Sequence, residues 1–345
     1  MNVESQIIDI IEGKKSAPIT KALLQAMSQG YRVGAYARNL AYDAFIPSQT
    51  LPVPVISIGN IVVGGTGKTP FVHYLAKQLV SHMKVAILSR GYRRKGNNTL
   101  LVTKESSPNE VGDEPYFLAQ KLPEAQVIVG PNRYSSGLKA ATLGAEVILL
   151  DDGMQHRSLL RDIEIVVMHA DDLFGKGYYL PRGFLRDSPR RLKAADQIIL
   201  TGVKNAEDFA KQKERIRKFT DAPITAMEMT ATKAGEIKSK KVASFCAIAR
   251  PERFMSTLKD LGAEVVMHRE KPDHFSFSEE ELEVFSNEAK TSGAECLVCT
   301  EKDAVKLSPK LQTTLPIIPL AITLTPSHGK EELETLMDHM IEVCQ

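Results

Sequence analysis

The sequence of 345 residues predicts an α/β fold in which a mostly parallel sheet carries helices on both faces. From residue 53 to residue 200, nearly continuous runs of Val, Ile and Leu alternate with stretches of helical periodicity. Such runs are typical of strands that are buried on both faces. In addition, a glycine-rich segment at 64–67 joins the first of these strands to a helix.

The elements of this sheet follow one another in a regular order. Strands are expected at 53–58, 84–88, 126–129, 145–150, 163–168 and 197–200, and helices at 69–83, 112–121 and 134–143. Ligands of such sheets bind at the carboxyl ends of the strands. The loops expected at that edge are 59–69, 89–94, 151–157 and 170–187.

A second region begins near residue 230, where a polar, Lys-rich segment interrupts the apolar rhythm. Beyond it, strands are expected at 242–247, 264–268, 296–299 and 316–322, and helices at 252–261, 278–291 and from 330 onward. The sequence therefore predicts an N-terminal segment, 1–50, a main domain, 51–229, and a smaller α/β domain, 230–345, that closes a cleft.

Composition excludes several classes of protein. Hydrophobic residues make up 43% and charged residues 25%, as in ordinary soluble domains. A net charge of +2 without a basic patch argues against a nucleic-acid partner, and no obligate protein partner is evident. The four cysteines are too sparse for a disulfide framework, and Cys296 and Cys299 lie in an apolar run typical of a buried strand rather than of a zinc site.

The glycine-rich segment has the composition of a phosphate-binding loop. Backbone amides at Gly64, Gly65, Thr66 and Gly67 can point at an anion. Next in the chain, Lys68 offers a positive charge and Thr69 a hydroxyl group for Mg²⁺. The usual motif has a glycine where this chain has Val62, so an exposed turn that binds nothing is the alternative.

Two carboxylates follow the strand expected at 145–150. Asp151 and Asp152 there suit Mg²⁺ bound to nucleotide phosphates, with either as the direct ligand, although they could simply begin the turn before Gly153. The guanine-binding motif N-K-x-D of GTPases is absent. In addition, Val63 replaces the signature lysine in the phosphate-binding loop of partitioning ATPases. The pattern thus favours phosphoryl transfer to a small acceptor over a nucleotide-driven switch.

Several further motifs occur in a characteristic order. They are G-G-T-G-K-T-P at 64–70, S-R-G-Y at 89–92, V-G-D-E-P at 111–115, D-D-G-M-Q-H at 151–156, L-P-R-G at 180–183 followed by Leu185 and Arg186, P-D-H at 272–274, and T-E-K-D-A-V-K at 300–306. This set resembles the tetraacyldisaccharide 4′-kinases over residues 20–310. That family phosphorylates the lipid A precursor with ATP at the cytoplasmic face of the bacterial inner membrane.

The resemblance implies a P-loop NTPase-like fold and a role for each matched residue. Residues 64–69 would bind ATP, and Thr69, Asp151 and Asp152 would bind Mg²⁺. Asp113 would accept the proton of the acceptor hydroxyl, with His274 as its partner and Lys68 as a further catalytic group. The residues implied in substrate binding are Arg90, Arg133, Gln155, His156 and Arg186.

Some of these assignments have structural alternatives. Asp113 could merely cap a helix, and His274 could belong to a solvated loop. The family often has Glu at the position of Asp187, so the role of Asp187 is open.

The segment 20–46 has apolar residues at helical spacing with Arg and Lys nearby. This pattern predicts an amphipathic helix, in two pieces because of Gly30 and Gly34, that either packs on the domain or lies at a membrane surface. The resemblance favours docking on the inner membrane as a peripheral protein.

Together these observations predict a function. We expect ATP- and Mg²⁺-dependent transfer of the γ-phosphate to the 4′-hydroxyl of a tetraacylated glucosamine disaccharide 1-phosphate in lipid A biosynthesis. The alternatives are a P-loop ATPase switch at the membrane and a kinase of a small soluble metabolite.

Overall fold

A computed structural model of the chain describes residues 3–92, 94, 96–273, 275–308 and 310–344. The chain folds into two compact units. The first unit contains Met1–Leu88, Asn132–Glu228 and Pro326–Gln345, and the second contains Ser89–Pro131 and Met229–Thr325. The three-segment division expected from the sequence stays a prediction.

The secondary structure alternates as the sequence pattern indicates. In the described part of the chain the α-helices are α1 (Val3–Ile11), α2 (Pro18–Ala44), α3 (Lys68–Leu79), α4 (Pro108–Val111), α5 (Asp113–Lys121), α6 (Arg133–Thr142), α7 (Ala206–Arg217), α8 (Ala234–Ile237), α9 (Pro251–Asp260), α10 (Glu279–Thr291), α11 (Glu301–Ala304) and α12 (Lys330–Cys344). The strands are β1 (Val55–Gly59), β2 (Val85–Ser89), β3 (Leu100–Leu101), β4 (Gln126–Val129), β5 (Val147–Asp151), β6 (Ile163–His169), β7 (Gln197–Thr201), β8 (Ile224–Ala231), β9 (Lys241–Cys246), β10 (Glu264–Glu270), β11 (Cys296–Thr300), β12 (Ile317–Leu320) and β13 (Ile322–His328).

The first unit is built on parallel strands in the order β8-β7-β6-β1-β5-β2. Every residue of β1, β2, β5, β6 and β7 is buried, as expected of strands covered by helices on both faces. On α3, the side chains of Phe71, Leu75 and Leu79 are fully buried. The predicted parallel α/β sheet is therefore confirmed.

The second unit has its own parallel sheet, in the order β10-β9-β11-β12, and an antiparallel pair of β3 and β4. Two apolar clusters form its core, one of them around Phe245 and Phe285. Cys296 and Cys299 are buried in β11, so the expected strand at this position is confirmed. The single strand expected at 316–322 is wrong, because β12 ends at Leu320 and β13 begins at Ile322.

The segment 20–46 lies for most of its length in one continuous helix, α2, and the expected break at Gly30 and Gly34 is wrong. A β-carbon added at either glycine would meet no atom within 4 Å, so these glycines lie on an open side of the helix and do not interrupt it. The opposite side is buried through Leu24, Ser28, Ala35 and Asn39. Across the residues that are described, no helix combines the length and the apolar character needed to cross a membrane.

Asp187, whose role the sequence left open, attaches α2 to the rest of the first unit. Its carboxylate is buried, and it accepts hydrogen bonds from Arg38 Nη2 at 3.0 Å and from Asn39 Nδ2 at 2.8 Å. The backbone amide of Ser188 donates a third bond, at 2.8 Å. A buried carboxylate is stable only with such partners, so Asp187 is a structural anchor for α2.

Gly59, the last residue of β1, has no room for a side chain, because an added β-carbon would lie 2.4 Å from Met154 Cβ. We expect Gly59→Ala to lower the free energy of unfolding by about 1–3 kcal/mol, measured by urea denaturation, since the turn after β5 must move. Gly30→Ala is the matched control, and it should raise stability by about 1 kcal/mol because Gly30 is in a helix with open space around it. Equal stability of Gly59→Ala and wild type would show that the two segments do not pack this closely.

Candidate functional site

The glycine-rich loop of the first unit connects β1 to α3. Gly64 has φ +112° and Gly67 has φ +92°, conformations that glycine adopts far more readily than other residues. Gly67 is the N-cap of α3, so Lys68 and Thr69 form the first turn of the helix. The positive end of α3 therefore faces the loop, which is the arrangement that binds phosphate groups.

Polar contacts fix the shape of this loop. Asn60 Nδ2 donates a hydrogen bond to Thr66 Oγ1 at 3.0 Å, and Thr201 Oγ1 donates one to the carbonyl oxygen of Thr66 at 2.8 Å. Asn60, Thr66 and Thr201 are all buried. The amide of Val63 is bonded to the carbonyl oxygen of Phe184 at 2.8 Å. These hydrogen bonds to the rest of the first unit hold the loop in a fixed conformation.

The carboxylates predicted to bind a metal follow the strand beside β1. Asp151 is the buried last residue of β5 and pairs in register with Ile58. Asp152 comes next, with the left-handed φ of +56° that Asp tolerates better than most residues. The carboxylate of Asp152 lies 3.3 Å from Lys68 Nζ and accepts a hydrogen bond from Arg186 Nη1 at 2.8 Å.

The two cations control the charge of Asp152. Burial alone would raise the pKa of this carboxyl group, but the charge of Lys68 and the hydrogen bonds and charge of Arg186 outweigh burial and hold the pKa well below its usual range. The side chain is 43% exposed, so solvent screens part of this interaction. Asp152 is therefore an anion at every pH at which the protein would be assayed.

Asn60, which was not among the predicted site residues, connects the loop to these charged groups. Its carbonyl oxygen accepts hydrogen bonds from Gln155 Nε2 at 2.9 Å and Arg186 Nε at 3.3 Å, and its side-chain oxygen accepts one from Arg186 Nη2. Asn60 could have been predicted from its position, because a polar residue directly after a buried strand lies at the carboxyl edge of a parallel sheet, where ligands bind. Asn60 thus contacts Gln155 and Arg186, and Arg186 joins it to Asp152 and to Lys68, the ion-pair partner of Asp152.

The other residues implied in substrate binding or catalysis belong to several segments of the chain. His156 follows Gln155, and its Nε2 lies 3.1 Å from Ser158 Oγ. Arg133 is the buried first residue of α6, in the first unit, and Arg90 is an exposed residue directly after β2, in the second. His274 lies outside the described residues. The roles of all of these side chains stay predictions.

Asp113 begins α5 in the second unit, after Gly112, which is the N-cap residue with φ +92°. The alternative that Asp113 caps this helix is therefore wrong, because the cap position belongs to a residue without a side chain. Gly112 is required there, since a β-carbon would lie 3.1 Å from the Cα of Gly91. The carboxylate of Asp113 forms an ion pair with Lys306, Oδ2 to Nζ, at 3.0 Å.

The oxygen groups at the loop fit a magnesium ion bound together with nucleotide phosphates. Thr69 supplies a buried hydroxyl, and Asp151 and Asp152 supply carboxylates at the end of β5. Among the described residues no group of three or more His, Cys, Asp or Glu side chains could hold a metal by itself. Mg²⁺ is usually bound through one or two carboxylates, phosphate oxygens and water, so Asp151 and Asp152 would supply enough protein carboxylates for it.

Comparison with known proteins then decides the family. The family described as Tetraacyldisaccharide-1-P 4′-kinase matches residues 20–342 of this chain. The chain belongs to the tetraacyldisaccharide 4′-kinase family. Membership confirms the resemblance seen in the sequence motifs, and it confirms the expected class of enzyme, a kinase that phosphorylates a hydroxyl group.

Relatives within the tetraacyldisaccharide 4′-kinase family are similar over nearly their full length. The chain is 37% identical to the tetraacyldisaccharide 4′-kinase of Syntrophus aciditrophicus (strain SB), with 88% of each chain covered. It is 36% identical to that of Anaeromyxobacter sp. (strain Fw109-5), with 94% of each covered.

The fold is also that of a solved family member. The crystal structure of LpxK from Aquifex aeolicus, an "apo" form in complex with ATP, superposes with a TM-score of 0.74 at 31% identity. The match covers 94% of this chain and 100% of the other. The predicted P-loop-type α/β fold is confirmed.

Proposed function

We propose that this family member transfers the γ-phosphate of ATP to the 4′-hydroxyl of a tetraacylated glucosamine disaccharide 1-phosphate, a step of lipid A biosynthesis. The observation that carries the proposal is the hydrogen-bonded loop at 60–69. It has glycines with positive φ, it leads into the N-terminus of α3, and it ends at Lys68 and Thr69. The ATP named for the Aquifex aeolicus relative supports the same donor here. Family membership disfavours the two alternatives, an ATPase switch and a kinase of a soluble metabolite.

In this proposal the first unit binds the donor. The backbone amides of 64–67 and the first turn of α3 bind the phosphate oxygens, and Lys68 adds a positive charge at the outer phosphates. Thr69, Asp151 and Asp152 would hold Mg²⁺, which, when bound, neutralises charge on the phosphate oxygens. Asn60 and Arg186 keep Asp152 and the loop in fixed positions before ATP binds.

The acceptor hydroxyl has to lose its proton as its oxygen bonds to the γ-phosphorus and the bond to the leaving ADP oxygen breaks. We assign the acceptance of that proton to Asp113, with His274 as its partner. Support comes from the family motif around Asp113, at the start of α5. Arg90, Arg133, Gln155, His156 and Arg186 are proposed to contact the substrates.

The proposed acceptor is tested with two synthetic disaccharide lipids, one natural and one with hydrogen in place of the 4′-hydroxyl group. With γ-labelled ATP and Mg²⁺, the natural lipid should gain label and the 4′-deoxy lipid none, and ³¹P NMR should assign the new phosphate to the 4′-oxygen. Labelling of the 4′-deoxy lipid would show that another hydroxyl is the acceptor.

Helix α2 supports a peripheral location at the cytoplasmic face of the inner membrane. Ile19, Leu23, Val33 and Leu40 are exposed, and at 3.6 residues per turn they lie on the side opposite the buried face of α2. Gly30 and Gly34 lie on the same open side. A helix with an exposed apolar face can lie in the interfacial layer of a bilayer, and we propose that this face docks on the membrane that contains the acceptor.

We expect the double variant Leu23→Ser with Val33→Ser to bind phospholipid vesicles at least about tenfold more weakly in co-sedimentation, because two apolar side chains no longer enter the bilayer. Activity on detergent-dispersed acceptor should be retained, since these side chains are exposed and distant in sequence from the loop. Val284→Ser, which removes an exposed apolar side chain of α10, is the control and should bind vesicles like wild type. Unchanged binding of the double variant would rule out docking through this face.

A further inference from the structure

The motif T-E-K-D-A-V-K at 300–306 forms a rigid turn at the end of β11. Thr300 is the N-cap of α11, and its Oγ1 donates a hydrogen bond to Asp303 Oδ2 at 2.6 Å. Asp303 is buried, and its other oxygen accepts the backbone amide of Ala247, just past β9, at 3.1 Å. The turn is thereby attached to two neighbouring strands, so the residues that follow Asp303 have a fixed direction.

This turn faces α5 of the same unit through three ion pairs. Lys306 pairs with Asp113, Lys302 pairs with Glu114, and Glu301 pairs with Lys121. Lys302 and Lys306 are four residues apart, which is about one helical turn, and their partners are adjacent at the start of α5. The motif therefore places two positive charges against the first turn of the helix that carries Asp113.

The three pairs differ in burial. The side chains of Lys302 and Glu114 are 37% and 36% exposed, so water screens their attraction. Those of Lys306 and Asp113 are only 5% and 16% exposed, and Lys306 Nζ also lies 3.4 Å from the carbonyl oxygen of Phe275. Burying a lysine and a carboxylate together costs desolvation that their attraction often only offsets. Stability alone is thus a weak reason for the pair of Lys306 and Asp113.

We propose that Lys306 is a positioning residue for the phosphoryl transfer: through its ion pair it holds Oδ2 of Asp113 in the orientation in which the carboxylate accepts the acceptor's proton. The proposal rests on the assignment of Asp113 as the base. Lys306 acts through Asp113 and needs no contact with either substrate. It also gives the T-E-K-D-A-V-K motif a function, in which Thr300 and Asp303 fix the turn and Lys306 acts on the carboxylate.

The test compares Lys306→Met, Lys306→Arg and the control Lys302→Met, each in the wild-type protein and in Asp113→Asn. Lys302→Met removes an ion pair at the same helix without touching Asp113. Steady-state kcat, KM for ATP and KM for the acceptor lipid are measured with the full chain, and thermal unfolding is recorded for each variant. Lys306→Met alone leaves the buried carboxylate of Asp113 without its ion-pair partner, which can destabilise the fold. The double variant of Lys306→Met with Asp113→Asn has neither charge, so we expect it to stay folded even if the single variant does not.

We expect Lys306→Met to lower kcat about 10- to 100-fold and to leave KM for ATP within about twofold, because the energetic coupling is to the carboxylate rather than to the donor. Lys306→Arg should recover part of the loss, and Lys302→Met should keep kcat within about twofold of wild type. In the Asp113→Asn background, Lys306→Met should lower kcat by less than about twofold, since its effect passes through the missing carboxylate.

Three results would overturn this assignment: wild-type kcat in Lys306→Met, an equal loss in Lys302→Met, or an undiminished loss from Lys306→Met in the Asp113→Asn background. The assignment of Asp113 as the base is tested separately, by the kcat of Asp113→Asn. If Asp113→Asn alone keeps wild-type kcat, the base is wrong, whereas an inactive Asp113→Asn with a fully active Lys306→Met removes only the role of Lys306.

Discussion

Asp113→Asn should lower kcat by about two to four orders of magnitude, because asparagine has nearly the same shape as aspartate but accepts no proton at neutral pH. KM for ATP should change little, because the role proposed for Asp113 is acceptance of the acceptor's proton and not binding of the donor. The measurement is steady-state transfer of labelled phosphate to the acylated disaccharide. A loss in kcat without a comparable rise in KM identifies an interaction made in the transition state.

The neighbouring carboxylate provides the control. Glu114→Gln removes the charge at the next position of α5 and breaks the ion pair with Lys302, but it leaves the pair of Asp113 and Lys306 intact. It should retain kcat within about threefold, because exposed ion pairs contribute little free energy. Wild-type kcat in Asp113→Asn, or an equal loss in Glu114→Gln, would contradict the assignment of the base.

Lys68→Ala should lower kcat by about 10²–10³-fold and raise KM for ATP. In the proposed function, the lysine at the first turn of α3 supplies a positive charge where charge develops on the transferred phosphoryl group. The fold should survive, because Asp152, the ion-pair partner of Lys68, is half-exposed and keeps its hydrogen bond from Arg186. Steady-state kinetics with the acylated disaccharide test the expected loss of activity, and circular dichroism of the variant tests whether the fold is retained.

Lys77→Ala tests whether any lysine of α3 would have this effect. Lys77 is an exposed residue in the last turn of the same helix, so its removal changes the net charge equally without touching the loop. Its kcat and KM should equal those of wild type. Retention of wild-type turnover by Lys68→Ala would mean that the loop binds phosphate without its lysine, which would contradict the proposed binding of the donor.

Much of the main sheet could be predicted because its strands are continuous apolar runs. The strand expected at 163–168 is β6, which is one residue longer, and the helix expected from 69 begins one residue earlier, at Lys68. Helix α7 and strand β8 were missed. Helix α7 exposes most of its length and has only Gln212 and Ile216 buried, so it carries little of the apolar periodicity on which a prediction depends.

The candidate site could be predicted only where residues follow one another in the chain. Residues 64–69 and the pair Asp151 and Asp152 are local motifs, and the structure places them at the ends of adjacent strands β1 and β5. Asn60 and Lys306 are different, because their importance depends on partners more than 90 residues away, Arg186 and Asp113. A single sequence gives no distance between such positions, so the hydrogen-bond network and the buried ion pair had to be seen in the structure.

The helix α2 shows a similar limit. Gly30 and Gly34 were expected to divide it, since glycine lowers helix propensity by about 1 kcal/mol. Tertiary contacts outweigh this cost: the anchors at Asp187, together with Ser28 donating a hydrogen bond to the carbonyl oxygen of Tyr179 at 2.8 Å, attach the helix along its length. Propensity alone could not include these contacts.

The most direct test of the function is transfer of label from γ-labelled ATP to the tetraacylated disaccharide 1-phosphate, compared with the same disaccharide without acyl chains. We expect the acylated lipid to gain one phosphate at the 4′-oxygen, and the soluble sugar to be phosphorylated at least about a hundredfold less efficiently, because it lacks the apolar surface that would contribute binding energy. Equal labelling of the soluble sugar, or hydrolysis of ATP with no label in the lipid, would contradict a kinase that acts on a lipid acceptor.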